Sequence, residues 1–181
     1  MASDRRYPPG DATELEACDH RLALLEDRRD IEDAKLRFVE SFDKATNGSS
    51  EFAASDFPIA DTFSWTGEQF GIYEEVNGLN RLVTQFRDAF DMSLQYLSLV
   101  NIVIEPGRLA ASGTWLVWHP LAIRGEPWIL AGRYHDGFIR YNTTWLVSSV
   151  RLELELLVPW RTGWAAERFS DSWKWPPNVN L

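Results

Sequence analysis

Trp128 to Val147 reads WILAGRYHDGFIRYNTTWLV, and this stretch decides how the chain is interpreted. An apolar, β-rich run enters a cluster of Arg133, Tyr134, His135 and Asp136. A turn-like Tyr141-Asn142-Thr143 follows, then a second β-rich run. Polar and ionisable side chains in the middle of a sheet strand are costly unless they are paired or line a cavity. The rest of the sequence reads as the container for that cavity.

Side chains alternate along an extended strand, so Arg133 and His135 share one face and Tyr134 and Asp136 the other. They cannot all enter one pocket without a bulge. On the preceding segment, Leu109 to Leu121, Trp115, Val117 and His119 fall on one face and Leu116 and Trp118 on the other. If His119 faces inward, Tyr134, Asp136 and Phe138 point in, and Arg133 and His135 belong to a second layer or a subunit interface. Leu94 to Ile104 precedes these segments. Trp145 to Val158 follows, with Val150, Leu152, Leu154 and Leu156 set against Arg151, Glu153 and Glu155: one dry face, one wet face. Short turns between successive strands require antiparallel pairing.

Helices come first. Thr13 to Ala45 has a helical pattern, read as two helices broken near Asp27-Arg28. Ile31, Ala34, Phe38 and Phe42 form the buried stripe, and Leu36, Val39 and Asp43 an adjoining row that turns Asp43 toward the apolar side. Asn47-Gly48-Ser49-Ser50 ends this region. Glu51 to Phe57 makes a short helical turn, Ile59 to Thr66 is a short strand containing Trp65, and a third helix runs from about Asn77 to Asp91. The expected fold is α+β: a cone-shaped, curved antiparallel sheet of four long strands plus a short one, covered by about three N-terminal helices. Such cones hold small molecules in their apolar interior.

The domain limits follow: a leader over 1–12, one domain over 13–158 and a Trp-rich tail over 159–181, a lid or a dimer contact. Of the nine Trp, four (Trp160, Trp164, Trp173 and Trp175) fall in that tail. At 181 residues, with 45% hydrophobic and 25% charged residues, the chain has a globular composition. A net charge of −9 argues against nucleic acid or an anionic membrane as partner. No apolar run reaches membrane-spanning length and the N-terminus lacks a secretory core, so the cytoplasm is expected. Cys18, the single cysteine, has no disulfide partner in the chain. His20, His119 and His135 lack metal-ligand spacing, and no GxSxG, phosphate loop or dinucleotide fingerprint occurs, so neither metal nor cofactor is expected.

The order of elements, Phe42-Asp43 at the end of a helix, and the GRYHDGFIR…TTW stretch resemble the SnoaL-like and scytalone-dehydratase-like branch of the nuclear-transport-factor-2-like superfamily. The resemblance covers roughly residues 20–158. It implies dehydratases, cyclases and isomerases, non-catalytic subunits, or the small subunit of an aromatic-ring oxygenase, often as homodimers. Phe42-Asp43 matches a Tyr-Asp pair with the Tyr hydroxyl missing. Gln95-Tyr96-Leu97 falls where the family has Gln-His-Phe, which puts Tyr96 in place of a catalytic His; Trp118-His119 matches a second His. Asp136 and Phe138 fall near two further pocket positions. These residues are the expected site of a cofactor-independent acid–base enzyme of secondary metabolism acting on a hydrophobic polycyclic or aromatic carbonyl compound. Asp43 and His119 would form the acid–base pair, Tyr96 and Asp136 would steer a carbonyl or hydroxyl, and Phe42, Trp65, Trp115, Tyr134, Phe138 and Arg133 would bind substrate.

Overall fold

Alternation along the last long strand sets the frame. In β7 (Thr144–Pro159), Trp145, Val147, Val150 and Leu152 are buried while Arg151, Glu153 and Glu155 are exposed. The same alternation runs through β6 (Glu126–Tyr141) and β5 (Ala110–Ile123). β4 (Tyr96–Ile104) pairs antiparallel with β5, β5 with β6 and β6 with β7. The computed structural model of the chain describes residues 12–48 and 52–170. Most of the expected leader, together with Ser49 and Ser50, Trp173 and Trp175, lies outside these residues.

β1 (Ile59–Gly67) continues the sheet by pairing with β7, and it does so in parallel, so the sheet is mixed rather than wholly antiparallel. β2 (Gly71–Glu74) closes a hairpin on β1, and β3 (Met92–Ser93) lies on the far end of β5. The curl is built in by bulges in β7, where Glu155 and Ser148 are the extra residues opposite Ala131/Gly132 and Gly137/Phe138 of β6. At Gly132 a Cβ would stand 2.2 Å from the Glu153 carbonyl oxygen, so no side chain fits at that bend.

Among the described residues, two α-helices and one 3₁₀ turn (Ala54–Asp56) accompany the sheet. α2 (Glu75–Ala89) buries Leu79, Leu82, Val83 and Phe86, as its spacing requires. α1 (Ala12–Asn47) is one unbroken helix through Asp27-Arg28, where two helices were expected. Phe38 and Phe42 meet Phe57, Phe63 and Phe86 at ring distances of 5.1–5.6 Å, an aromatic core between both helices and β1.

The apparent break is instead an anchor. Asp27 is buried and accepts hydrogen bonds from Arg108, from Arg140 at 3.0 Å and from the Trp145 indole at 3.2 Å. Burial alone would raise its pKa. The hydrogen bonds from Arg108 and Trp145 and the charges of Arg140 and Arg108 outweigh that, and the carboxyl sits below the usual range. The described part of the tail packs Trp164 against Trp118 on the outer face of β5, with Trp160 against Trp164.

Removing the carboxylate strands two arginines that are only about one-quarter exposed. Asp27→Ala is expected to cost about 3 kcal/mol of folding stability, measured by urea unfolding, with most of it retained down to pH 4. A change under about 0.5 kcal/mol would show that the cluster is decorative.

Candidate active site

Burial sorts the expected residues. Phe42, Trp65, Trp115, His119, Tyr134, Asp136 and Phe138 are all buried, each with 5% exposure or less, and Asp43 is half-buried. The inward set on β5 and β6 is therefore the one that alternation gives once His119 faces in. Two expectations fail. Tyr96 is 60% exposed, opposite Trp118 on the outer face, because β4 starts there and its inward residues are Leu97 and Leu99. Arg133 also points outward, its Nε 2.9 Å from Glu155, while His135 Nε2 lies 2.8 Å from Glu153.

The position expected of Tyr96 is taken by its neighbour. Gln95 donates to Asp43 twice, from its backbone N–H to Oδ2 at 2.9 Å and from its amide Nε2 to Oδ1 at 3.1 Å. The Tyr134 hydroxyl donates to Gln95 Oε1 at 2.7 Å. Burial raises the Asp43 pKa against the pull of the Gln95 hydrogen bonds. Desolvation, aided by the charges of Asp136 and Asp43, pushes the Tyr134 phenol far up, so it stays a neutral donor.

Lys35 is the residue that sequence reasoning missed. It is fully buried, with Nζ 2.8 Å from Asp136 and 4.1 Å from the centroid of the Tyr134 ring. The ammonium and carboxylate touch without an aligned hydrogen bond. Burial lowers the Lys35 pKa and raises that of Asp136, and each partner's charge opposes the shift. The signal was present: Lys35 lies four residues past Ile31 and three before Phe38, on the stripe itself.

His119 closes the other side. Its Nε2 lies 2.8 Å from Ser93 Oγ. Asn47 receives the Ser93 N–H at 2.8 Å and donates back to the Ser93 carbonyl, tying the end of α1 to β3. Burial drops the His119 pKa to about 3, so the ring is neutral at physiological pH. Buried polar atoms of Lys35, Trp115, His119 and Asp136 lack a hydrogen-bond partner, which marks the polar spot inside an aromatic shell. Two surface hollows, of about 510 and 530 Å³, lie elsewhere along α1 and include none of the expected site residues. Among the described residues no group of three His, Cys, Asp or Glu side chains is placed to share a metal ion.

No protein-family model matches the sequence, and no curated protein does. Solved structures match in shape. A hexachlorocyclohexane dehydrochlorinase of type 2 has a TM-score of 0.66 at 18% identity, covering 77% of this chain and 92% of its own. The type 3 enzyme from Novosphingobium barchaimii gives 0.65 at 19%, covering 77% and 93%. A candidate scytalone dehydratase from Novosphingobium aromaticivorans gives 0.60 at 16%, covering 75% and 89%. At these identities the likeness is one of fold. No helix among the described residues is long and apolar enough to cross a membrane.

Two measurements test the buried charges. Lys35→Met and Asp136→Leu should each cost about 3–5 kcal/mol, and the double variant distinctly less than their sum, in a denaturation cycle. Strict additivity would mean that the pair is not coupled. For His119 the folded pKa of about 3 lies below an unfolded value near 6.5. Its contribution is therefore complete above pH 6.5 and falls as the pH drops toward 3, at about 1.4 kcal/mol per pH unit. In His119→Gln that acid slope should flatten.

Proposed function

We propose that the cone of this chain, which shares its fold with a hexachlorocyclohexane dehydrochlorinase and a candidate scytalone dehydratase, is a cofactor-independent acid–base site for a hydrophobic carbonyl compound, catalysing elimination. The observation that carries this reading is Asp43, a half-buried carboxylate of raised pKa, oriented by two hydrogen bonds from Gln95 at the end of α1. A desolvated carboxylate is a stronger base than a solvated one, and fixed orientation removes the entropy of finding the proton. The shape likeness to dehydrochlorinases and to a candidate dehydratase points the same way.

In this mechanism Asp43 takes a proton from the carbon beside the carbonyl. The electron pair forms the new double bond as the β-hydroxyl leaves, and the proton held by Asp43 joins the departing hydroxide as water, which restores the carboxylate. With Ser93 donating to Nε2, His119 carries its proton on Nδ1 and offers a neutral hydrogen bond to the developing oxyanion. Asp136, tied to Lys35, sets the charge of the interior rather than transferring protons. The buried aromatic side chains select an apolar substrate. Cyclisation or skeletal rearrangement would use the same proton abstraction, and secondary metabolism supplies such substrates.

A binding role without chemistry is the second reading, favoured by one observation: the partner of Asp43 is Gln95, an amide that cannot relay a proton. A panel of hydrophobic β-hydroxy ketones, followed by enone absorbance, separates the two. Turnover should fall by about 10²–10⁴ in Asp43→Asn. The wild-type rate should fall with acid along a single limb set above the ordinary carboxylate range, with no histidine limb near pH 6.5. Ligand-induced stabilisation with no turnover, or a fully active Asp43→Asn, would leave the binding reading.

A further inference from the structure

The unbroken course of α1 leaves a face with no cover. Thr13 to Leu22 are all exposed, so the first turns of the helix project past the sheet. The apolar side chains there are not scattered. Leu15, Cys18, Leu22 and Leu25 succeed one another at intervals of three, four and three, the a and d spacing of a coiled-coil seam. Leu15, Leu22 and Leu25 are 60%, 54% and 64% exposed, and Cys18 is exposed too. Asp27, buried against the sheet, takes the f position of the same heptad, so Leu15, Cys18 and Leu22 face away from the body, while Leu25 borders a hollow that it lines with Arg21, Arg28 and Ile102 to Ile104 of β4.

We propose that this seam binds a second copy of the chain, the two α1 helices lying parallel and in register. The charges beside the seam choose the occupant and its direction. Arg21 and Arg28 hold g positions; Asp19, Glu26 and Asp33 hold e positions. In a parallel pair each g residue meets the e residue five positions on in the other helix. Arg21 then faces Glu26 of the partner subunit, and Arg28 faces Asp33 of the partner subunit. Only Glu14, near the helix start, meets a like charge, in Asp19 of the partner subunit. An antiparallel pair sets g against g and e against e; with the seams overlapping, it satisfies Glu14 with Arg28 of the partner subunit but sets Arg21 against Arg21 of the partner subunit and Asp19 against Asp19 of the partner subunit, so it holds fewer opposite-charge pairs than the parallel one.

The inference is independent of the proposed chemistry. Its test uses the full-length protein and its sole cysteine. Light scattering after size exclusion should give twice the 20.8 kDa of the chain. Leu22→Glu combined with Leu25→Glu should give the monomer mass with an unchanged far-ultraviolet circular dichroism spectrum at 20 °C, since both positions are exposed, while the concentration dependence of Tm seen in the wild type disappears. Mild oxidation by diamide, which accepts the two electrons and two protons of two thiols, should link Cys18 to Cys18 of the partner subunit, because facing d positions bring the sulfurs together. A monomeric wild type overturns the proposal. So does a dimer indifferent to the helix variant but lost in Trp118→Glu, which would place the contact on the outer sheet face. A dimer that forms no disulfide rules out the parallel, in-register arrangement.

Discussion

Three charged side chains on α1, eight residues apart, hold the helix to the sheet. Asp27 is clasped by Arg108, Arg140 and Trp145, Lys35 meets Asp136, and Asp43 receives Gln95. Eight residues advance a helix about 12 Å and turn it about 80° beyond two full turns. The anchor points therefore wind round the helix as they climb it, which is what a sheet curling about that helix demands. Apolar contact alone would let α1 slide or roll in its trough, since hydrophobic attraction has no direction. Ion pairs and hydrogen bonds fix both its depth and its rotation.

The same three anchors grade the environment along the cone. At Asp27 two partly exposed arginines compensate the carboxylate, and the cluster is simply ionic. At Lys35 the pair is sealed from water, so burial draws both partners toward neutrality. At Asp43 the carboxylate has no cation among its partners, only donors from Gln95, and retains partial exposure. Only this third position combines basicity with access. The chain Asp136, Lys35, Tyr134, Gln95, Asp43 also joins the sealed pair to the accessible carboxylate, so a charge change at one end is felt at the other.

Much of this was legible in the sequence. Alternation over 150–156 of β7 and in the 115–119 and 134–138 segments fixed which side chains turn inward, because a strand with one buried face admits one register. The misses have physical causes. Tyr96 was aligned by local likeness, but the strand begins at that residue, and the side chain reaching α1 belongs to Gln95 before it. The helix runs through Asp27-Arg28 because the sheet supplies the counter-charges of Asp27 from Arg108 and Arg140, more than 80 residues away, where no local pattern shows them. Lys35 escaped for the same reason. The parallel pairing of β1 with β7 is a contact between the two ends of the domain, and no local pattern encodes it.

Anchoring and projection are two consequences of one helix. Because α1 is pinned at Asp27, the helical phase of everything before it is set, and Leu15, Cys18, Leu22 and Leu25 are presented as a row of defined direction. A helical stretch of that length is marginal in water by itself, since nucleation is costly and only packing repays it. An overhang that kept polar residues on every side would fray without consequence. One that places leucines at seam spacing on the side facing away from its own core leaves that apolar area in water unless another surface removes it. The interior anchors thus determine the geometry of the outer face: the residues that hold the helix to the cone also decide where a second molecule can meet it.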